Sequence, residues 1–293
     1  MSAGMIDAAK PIMSMLDRLR NNAVLRRPLM AAVGRLLRPL RGGTGIVQRA
    51  FYDALPVPYV IAGTNEHYVV STKDKVIGRE LFLRGEFDFD KLRVALALLE
   101  RESRARPTHL VDVGANVGSI VIPAVVRGAF QTATAIEPHP QNLRLLRANL
   151  ALNAVDDRVR ALGVAVGDVA ASTLTLEESA FNSGRHSVAT RGIAVEAVRL
   201  DDLDLPTHRS LLWMDIEGYE GHALRGAPRL LQAGTPVVAE FNPAFLGDQG
   251  GREAFDAALA GRTVFDLASP DAPSSIERLA TEYATGYTDI LAI

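Results

Sequence analysis

The sequence contains no cysteine, a single tryptophan and only 6% aromatic residues in a chain of 293. Without cysteine there is no disulfide scaffold, no thiolate zinc site and no cysteine nucleophile. No apolar run approaches the roughly 18 residues that span a bilayer. Asp7, Lys10, Asp17, Arg18 and Arg20 fall where a secretion signal needs an unbroken apolar stretch, so a cytoplasmic chain is expected. A strong excess of one charge is missing as well. The 32 basic and 34 acidic side chains leave −2, which argues against a nucleic-acid partner.

What charge there is, is unevenly spread. Residues 1–50 hold nine basic and two acidic side chains, whereas the other 243 hold 23 and 32. This pattern reads as a cationic arm on an acidic body. Within the arm, Leu25, Leu29, Val33, Leu36, Leu37 and Leu40 share one face of a helical wheel. Arg27, Arg35, Arg38 and Arg41 take the other face, and Pro39, Gly42 and Gly43 mark a stop. Such a helix either packs on its own domain or on a second subunit of a homo-oligomer, or lies peripherally on an anionic inner-membrane surface. Base rates favour packing.

Residues 51–105 read as an accessory region on the substrate side, with two short strands in 57–72 and a helix near 89–103. From 106 to 293 strands and helices alternate. Strands are expected at 109–113, 132–136, 158–166, 211–216, 236–241, 263–267 and 287–292. Helices are expected at 117–128, 140–153, 221–233 and 252–260. This alternation predicts a doubly wound α/β domain with a mostly parallel, seven-stranded sheet, because parallel strands need crossover connections.

The most informative stretch is LVDVGANVGSI at 110–120. An apolar strand runs into Asp112, Gly114, Asn116 and Gly118, and glycine lets a ligand approach the main chain closely. Glu137 ends the next strand, where a carboxylate can accept from both hydroxyls of a ribose. The dinucleotide fingerprint has glycine where this loop has Asn116, which would crowd a pyrophosphate. S-adenosyl-L-methionine, a nucleoside without phosphates, suits the loop better.

At this point the sequence resembles the class I S-adenosylmethionine-dependent methyltransferases, and specifically the FkbM family. Three stretches carry the likeness: VDVGANVG at 111–118, IEPHPQNLRLLRANLALN at 136–153 and LLWMDIEGYEGHALRGAPRLL at 211–231. It covers roughly residues 75–270 and leaves out the arm. The resemblance implies a Rossmann-like fold, with Gly114 and Gly118 lining the methionine end of the cofactor, Asp112 near its amino group, Glu137 on the ribose and Asp168 at the adenine amino group. Asp168 also reads as a plain turn residue. Trp213 departs from many relatives, which have lysine there, and this puts any substrate contact of that lysine in doubt.

Methyl transfer to a hydroxyl needs alignment and a group that removes the proton. Asp215 is the first candidate for base or metal anchor. Glu217 is either a second catalytic carboxylate or a helix-start residue, and His222 either catalytic or on the surface. Asp215, Glu240 and Asn242 together offer oxygen ligands for Mg²⁺. Arg185 and His186, in a polar insertion at 178–192, are candidate contacts to the acceptor. The expected activity is O-methylation of a small-molecule or glycan acceptor, such as a sugar, a glycolipid or a polyketide-type natural product. A nicotinamide-dependent oxidoreductase and a non-catalytic scaffold are the alternatives.

Overall fold

A computed structural model describes residues 43–177 and 187–293. The expected arm helix at 25–41 and the segment with Arg185 and His186 lie outside the described residues. The chain divides into two units between Pro58 and Tyr59. In the first, α1 spans Gly43–Asp53.

In the second unit, β1 (Tyr59–Ala62) and β2 (Tyr68–Ser71) form an antiparallel hairpin. Helices α2 (Ile77–Arg84) and α3 (Phe89–Arg101) follow. Then come β3 (His109–Val113), α4 (Val121–Val126), β4 (Thr132–Ile136), α5 (Pro140–Leu152) and β5 (Val159–Leu162). Four short strands come next: β6 (Ala165–Val166), β7 (Ser172–Glu177), β8 (Ser187–Val188) and β9 (Ile193–Val198). The chain continues through β10 (Ser210–Met214), α6 (Glu220–Arg225), α7 (Pro228–Gln232), β11 (Val237–Phe241), α8 (Pro243–Asp248) and α9 (Arg252–Leu259). It closes with β12 (Val264–Asp266), β13 (Pro273–Ser274), α10 (Ile276–Glu282) and β14 (Thr288–Ala292).

The main sheet has eight strands in the order β13-β12-β14-β11-β10-β3-β4-β5. Neighbours from β5 across to β11 are parallel, and β14 runs antiparallel to both β11 and β12. The seven expected strands are all there, and the eighth is the two-residue edge strand β13. Every residue of β3 and β10 is buried, as strands covered on both faces must be. Leu110, Leu211 and Trp213 pack on one face with α3, α4 and α5. Val111, Val113, Leu212 and Met214 pack on the other with α6, α7 and α9. Each such side chain contributes about 1.5–3 kcal/mol when removed from water.

Two expected elements divide. The strand expected at 158–166 breaks at Gly163, and β6 leaves the main sheet to pair in parallel with β9. A glycine offers a strand no side chain to pack, so the chain can change direction there. The helix expected at 221–233 splits into α6 and α7 at Gly226 and Pro228. The segment expected to be irregular carries a second sheet, β6-β9-β7-β8, with Ala165, Leu176, Val195 and Ala197 as its own small core.

Candidate active site

The turn after β3 is built to bring two strand ends together. Gly114 has φ +87°, and a Cβ there would stand 2.1 Å from the Asp215 carbonyl oxygen, so only glycine fits. Gly118 also has a positive φ, but its crowding comes from Ile122 and Leu146, and it does not border the cleft. The helix starts later than expected, at Val121, because residues 115–120 form turns first.

Four amides of this turn, those of Gly114, Ala115, Asn116 and Gly118, are already used. Gly114 and Ala115 donate to the Ile136 carbonyl at 2.9 and 3.0 Å, and Gly118 donates to Ala115 at 2.8 Å. Asn116 takes a left-handed φ of 50°, which asparagine tolerates, and donates its N–H to Glu137 Oε2 at 2.9 Å. The first amide of α4, Val121, is hydrogen-bonded to the Asp112 carboxylate. The helix N-terminus that cradles a phosphate in dinucleotide folds is therefore filled by the protein's own carboxylate.

Glu137 is buried at the end of β4, where Oε1 also accepts from the His139 N–H at 2.7 Å. Burial pushes its carboxyl up to about 7 despite the bonds from His139, Asn116 and Asn142. Burial likewise raises Asp112 to about 7, with Glu137 adding to the shift. Asp112 Oδ2 has no hydrogen-bond partner.

Asn149 holds this end in place from α5. Fully buried, it accepts from the Val69 N–H at 2.6 Å and donates to the Val117 carbonyl at 2.9 Å, tying β2 to the turn. Sequence reasoning quoted this asparagine in a motif without a role. A polar residue inside an otherwise apolar helix face was the available signal.

Between the turn and the second sheet lies a cleft at the carboxyl ends of the parallel strands. Gly114, Asn116, Glu137 and Asp215 form its polar side. Val164, Val166, Leu174, Leu176 and Val188 form an apolar wall, and Tyr219 borders it. No lysine or arginine is among these lining residues.

The far rim is acidic. Burial, then Glu217, pushes Asp215 well above the usual carboxylate range, while Lys91 opposes the shift. Burial and the Asp215 charge push Glu240 up to about 10. Glu240 faces Asp289 across β11 and β14, and Lys91 reaches Asp289 at 2.7 Å and Asp88 at 3.1 Å. Glu217 sits at φ 55° in the sharp turn from β10 into α6. Glu220, buried at the start of α6, accepts the Ile216 N–H at 2.8 Å and pins that turn.

A model of the methyltransferase FkbM domain matches residues 112–261, just over half of the chain. The chain belongs to the FkbM methyltransferase family. A 71-residue stretch is 44% identical to cobalt-precorrin-6B C(15)-methyltransferase (decarboxylating) of Salmonella typhimurium. That stretch is 24% of this chain and 37% of the relative, so the chain spans little more than a third of the curated relatives it matches. Among solved structures, the methyltransferase FkbM from Methylobacillus flagellatus aligns at 18% identity and TM-score 0.43. The alignment covers 64% of this chain and 44% of that one. Precorrin-6y C5,15-methyltransferase from Geobacter metallireducens aligns at 18% identity and TM-score 0.37, covering 69% and 85%.

Three expected residues of this FkbM chain have other employment. Asp168 does not border the cleft; it pairs with Arg225 Nη1 at 2.8 Å and faces His222 Nδ1 at 3.4 Å. His222 lies 2.9 Å from the Gln249 carbonyl through Nε2 and stacks on Tyr219, so it is a braced ring and not a free base. The Asn242 side chain caps α8 by accepting the Phe245 N–H at 3.2 Å, which takes it out of a cation site with Asp215 and Glu240. Among the described residues no group of three or more histidines or carboxylates is arranged to hold a metal. Trp213 is buried in the core.

Proposed function

We propose that the chain transfers a methyl group from S-adenosylmethionine to a hydroxyl oxygen. The observation that carries this reading is the internal use of the Gly114, Ala115, Asn116 and Gly118 amides and of the first α4 amide, which withdraws these donors from a pyrophosphate. A nicotinamide dinucleotide fits that arrangement poorly. A phosphate-free adenosine bearing positive charge fits it, since Glu137 and Asp215 line the cleft and no lysine or arginine is among its described lining residues.

The residues then divide the work. Glu137 is the carboxylate for the ribose hydroxyls, held in place by the Asn116 and His139 amides. Gly114 and Asn116 shape the methionine side, with Asp112 behind them. The cofactor supplies an activated methyl group on sulfur. Asp215 accepts the acceptor's proton, a role suited to a carboxyl whose proton affinity is raised by burial and by the neighbouring Glu217. Glu217 is a second carboxylate on the same rim. The apolar wall of β7 and β8 keeps water from the reacting atoms.

A sugar-bearing acceptor, in a glycan or glycolipid, is the preferred class, and a polyketide-type hydroxyl the next. The cationic 1–50 segment would bring the enzyme to an anionic membrane surface where glycolipids reside. A carbon acceptor is the second reading, favoured by the stretch shared with a C(15)-methyltransferase. Incubating the protein with ¹³C-methyl-labelled cofactor and a cell extract separates the two. An oxygen-bound methyl carbon resonance supports the first reading, and only carbon-bound methyl resonances would overturn it.

A further inference from the structure

Asp168 and His222, candidates for the adenine amino group and for catalysis, are bonded to each other, and the His222 ring backs an aromatic side chain. Among the described residues Tyr219 is the aromatic one that borders the cleft, which Val164, Ala165 and Val166 also line. Its ring stacks on the His222 imidazole, with centroids 4.3 Å apart and planes 24° from parallel. Gly167 runs alongside; a Cβ there would be 3.5 Å from Tyr219 Cε1.

His222 cannot turn freely. Nδ1 faces Asp168 Oδ2 at 3.4 Å and Nε2 lies 2.9 Å from the Gln249 carbonyl. Asp168 is fixed in turn by Arg225 at 2.8 Å. Gln249 extends the brace to the apolar wall, because its Nε2 donates to the Val188 carbonyl at 3.1 Å in β8. Val188 borders the same cleft. The Tyr219 ring and the β8 wall are thus held by one connected set of contacts through His222 and Gln249.

We infer that this FkbM enzyme holds the adenine of its cofactor by the face of Tyr219, with His222 as a positioning residue behind that ring, and not by a carboxylate at the adenine amino edge. Asp168 is unsuited to the edge role because its charge is engaged by Arg225 and His222. Stacking reads a flat aromatic face and is tolerant of the groups on its edge, whereas a hydrogen-bonded edge rejects an analogue that lacks the donor. The inference rests on the proposed use of S-adenosylmethionine, and it adds that the site reads shape and not the 6-amino group.

The test is titration calorimetry of the full chain with S-adenosylhomocysteine and with S-inosylhomocysteine, in which a 6-oxo group replaces the 6-amino group. The two ligands are expected to bind within about threefold of each other. Tyr219→Leu should weaken both by about tenfold or more, Tyr219→Phe should bind like wild type, and near-ultraviolet circular dichroism confirms that both variants are folded. His222→Ala should weaken binding, while His222→Phe, which keeps a flat ring behind Tyr219, should restore most of it. Wild-type preference for the amino ligand by more than about tenfold would overturn the stacking inference and leave the methyltransferase reading standing. Failure of the wild type to bind either ligand would instead sink the cofactor assignment on which the inference rests.

Discussion

The two ends of the cleft hold carboxyl groups in opposite circumstances. At the turn after β3, Glu137 is surrounded by donors and Asp112 takes the first amide of α4. At the rim, Asp215, Glu217, Glu240 and Asp289 face mainly one another, with Lys91 as their counter-charge. Both ends have raised carboxyl groups, yet the causes differ. Burial is the main opposition to the ionised form at the turn, with Glu137 adding to it at Asp112, and hydrogen bonds offset part of it. Mutual repulsion adds to burial at the rim. A satisfied end is a rigid mould for a ligand, and a repulsive end is a store of proton affinity.

The largest effect should come from forcing the mould. Gly114→Val places a side chain where φ is +87° and where a Cβ meets the Asp215 carbonyl oxygen at 2.1 Å. A loss of about 3 kcal/mol or more in urea unfolding is expected. Breaking a strut of the same end comes next. Asn149→Leu strands the Val69 amide and the Val117 carbonyl, and should cost about 2–3 kcal/mol by the same measurement.

The rim should respond to pH in the opposite sense to a paired carboxylate. Between 4.5 and about 10 the folded protein keeps on Glu240 a proton that the unfolded chain releases. Stability therefore falls as pH rises through that window. Glu240→Gln, which mimics the protonated form, should flatten the slope and raise stability by about 2 kcal/mol near the alkaline end of the window, read from urea midpoints across pH. A variant no more stable there than wild type would mean that the rim carboxyls are not repelling one another. The smallest effect is expected outside both ends. Arg225→Ala removes a half-exposed partner of Asp168 and should change stability by less than about 1 kcal/mol.

Much of the turn end could be read from sequence, because its roles follow from backbone position. Gly114 and Glu137 are fixed by where β3 and β4 stop, and both strands have the expected bounds. The rest failed where side-chain direction mattered. Asp168, His222 and Asn242 stand near the right strand ends, but a sequence does not reveal that Arg225, Gln249 and Phe245 have already claimed them. The second sheet was hidden because β6 and β8 are two residues long and Gly163 falls inside what looked like one strand. Lys91 was missed for another reason. It approaches the rim from α3, nearly 200 residues before Asp289 in sequence, and only the folded register brings them together.

The central claim is that the protein itself takes the Gly114, Ala115, Asn116 and Gly118 amides and the first amide of α4, so that the cleft accepts an adenosine without phosphates. Differential scanning fluorimetry with S-adenosylhomocysteine and NAD in parallel tests this most directly. Saturating S-adenosylhomocysteine should raise Tm by several degrees while NAD leaves it unchanged. A rise with NAD and none with S-adenosylhomocysteine would contradict it.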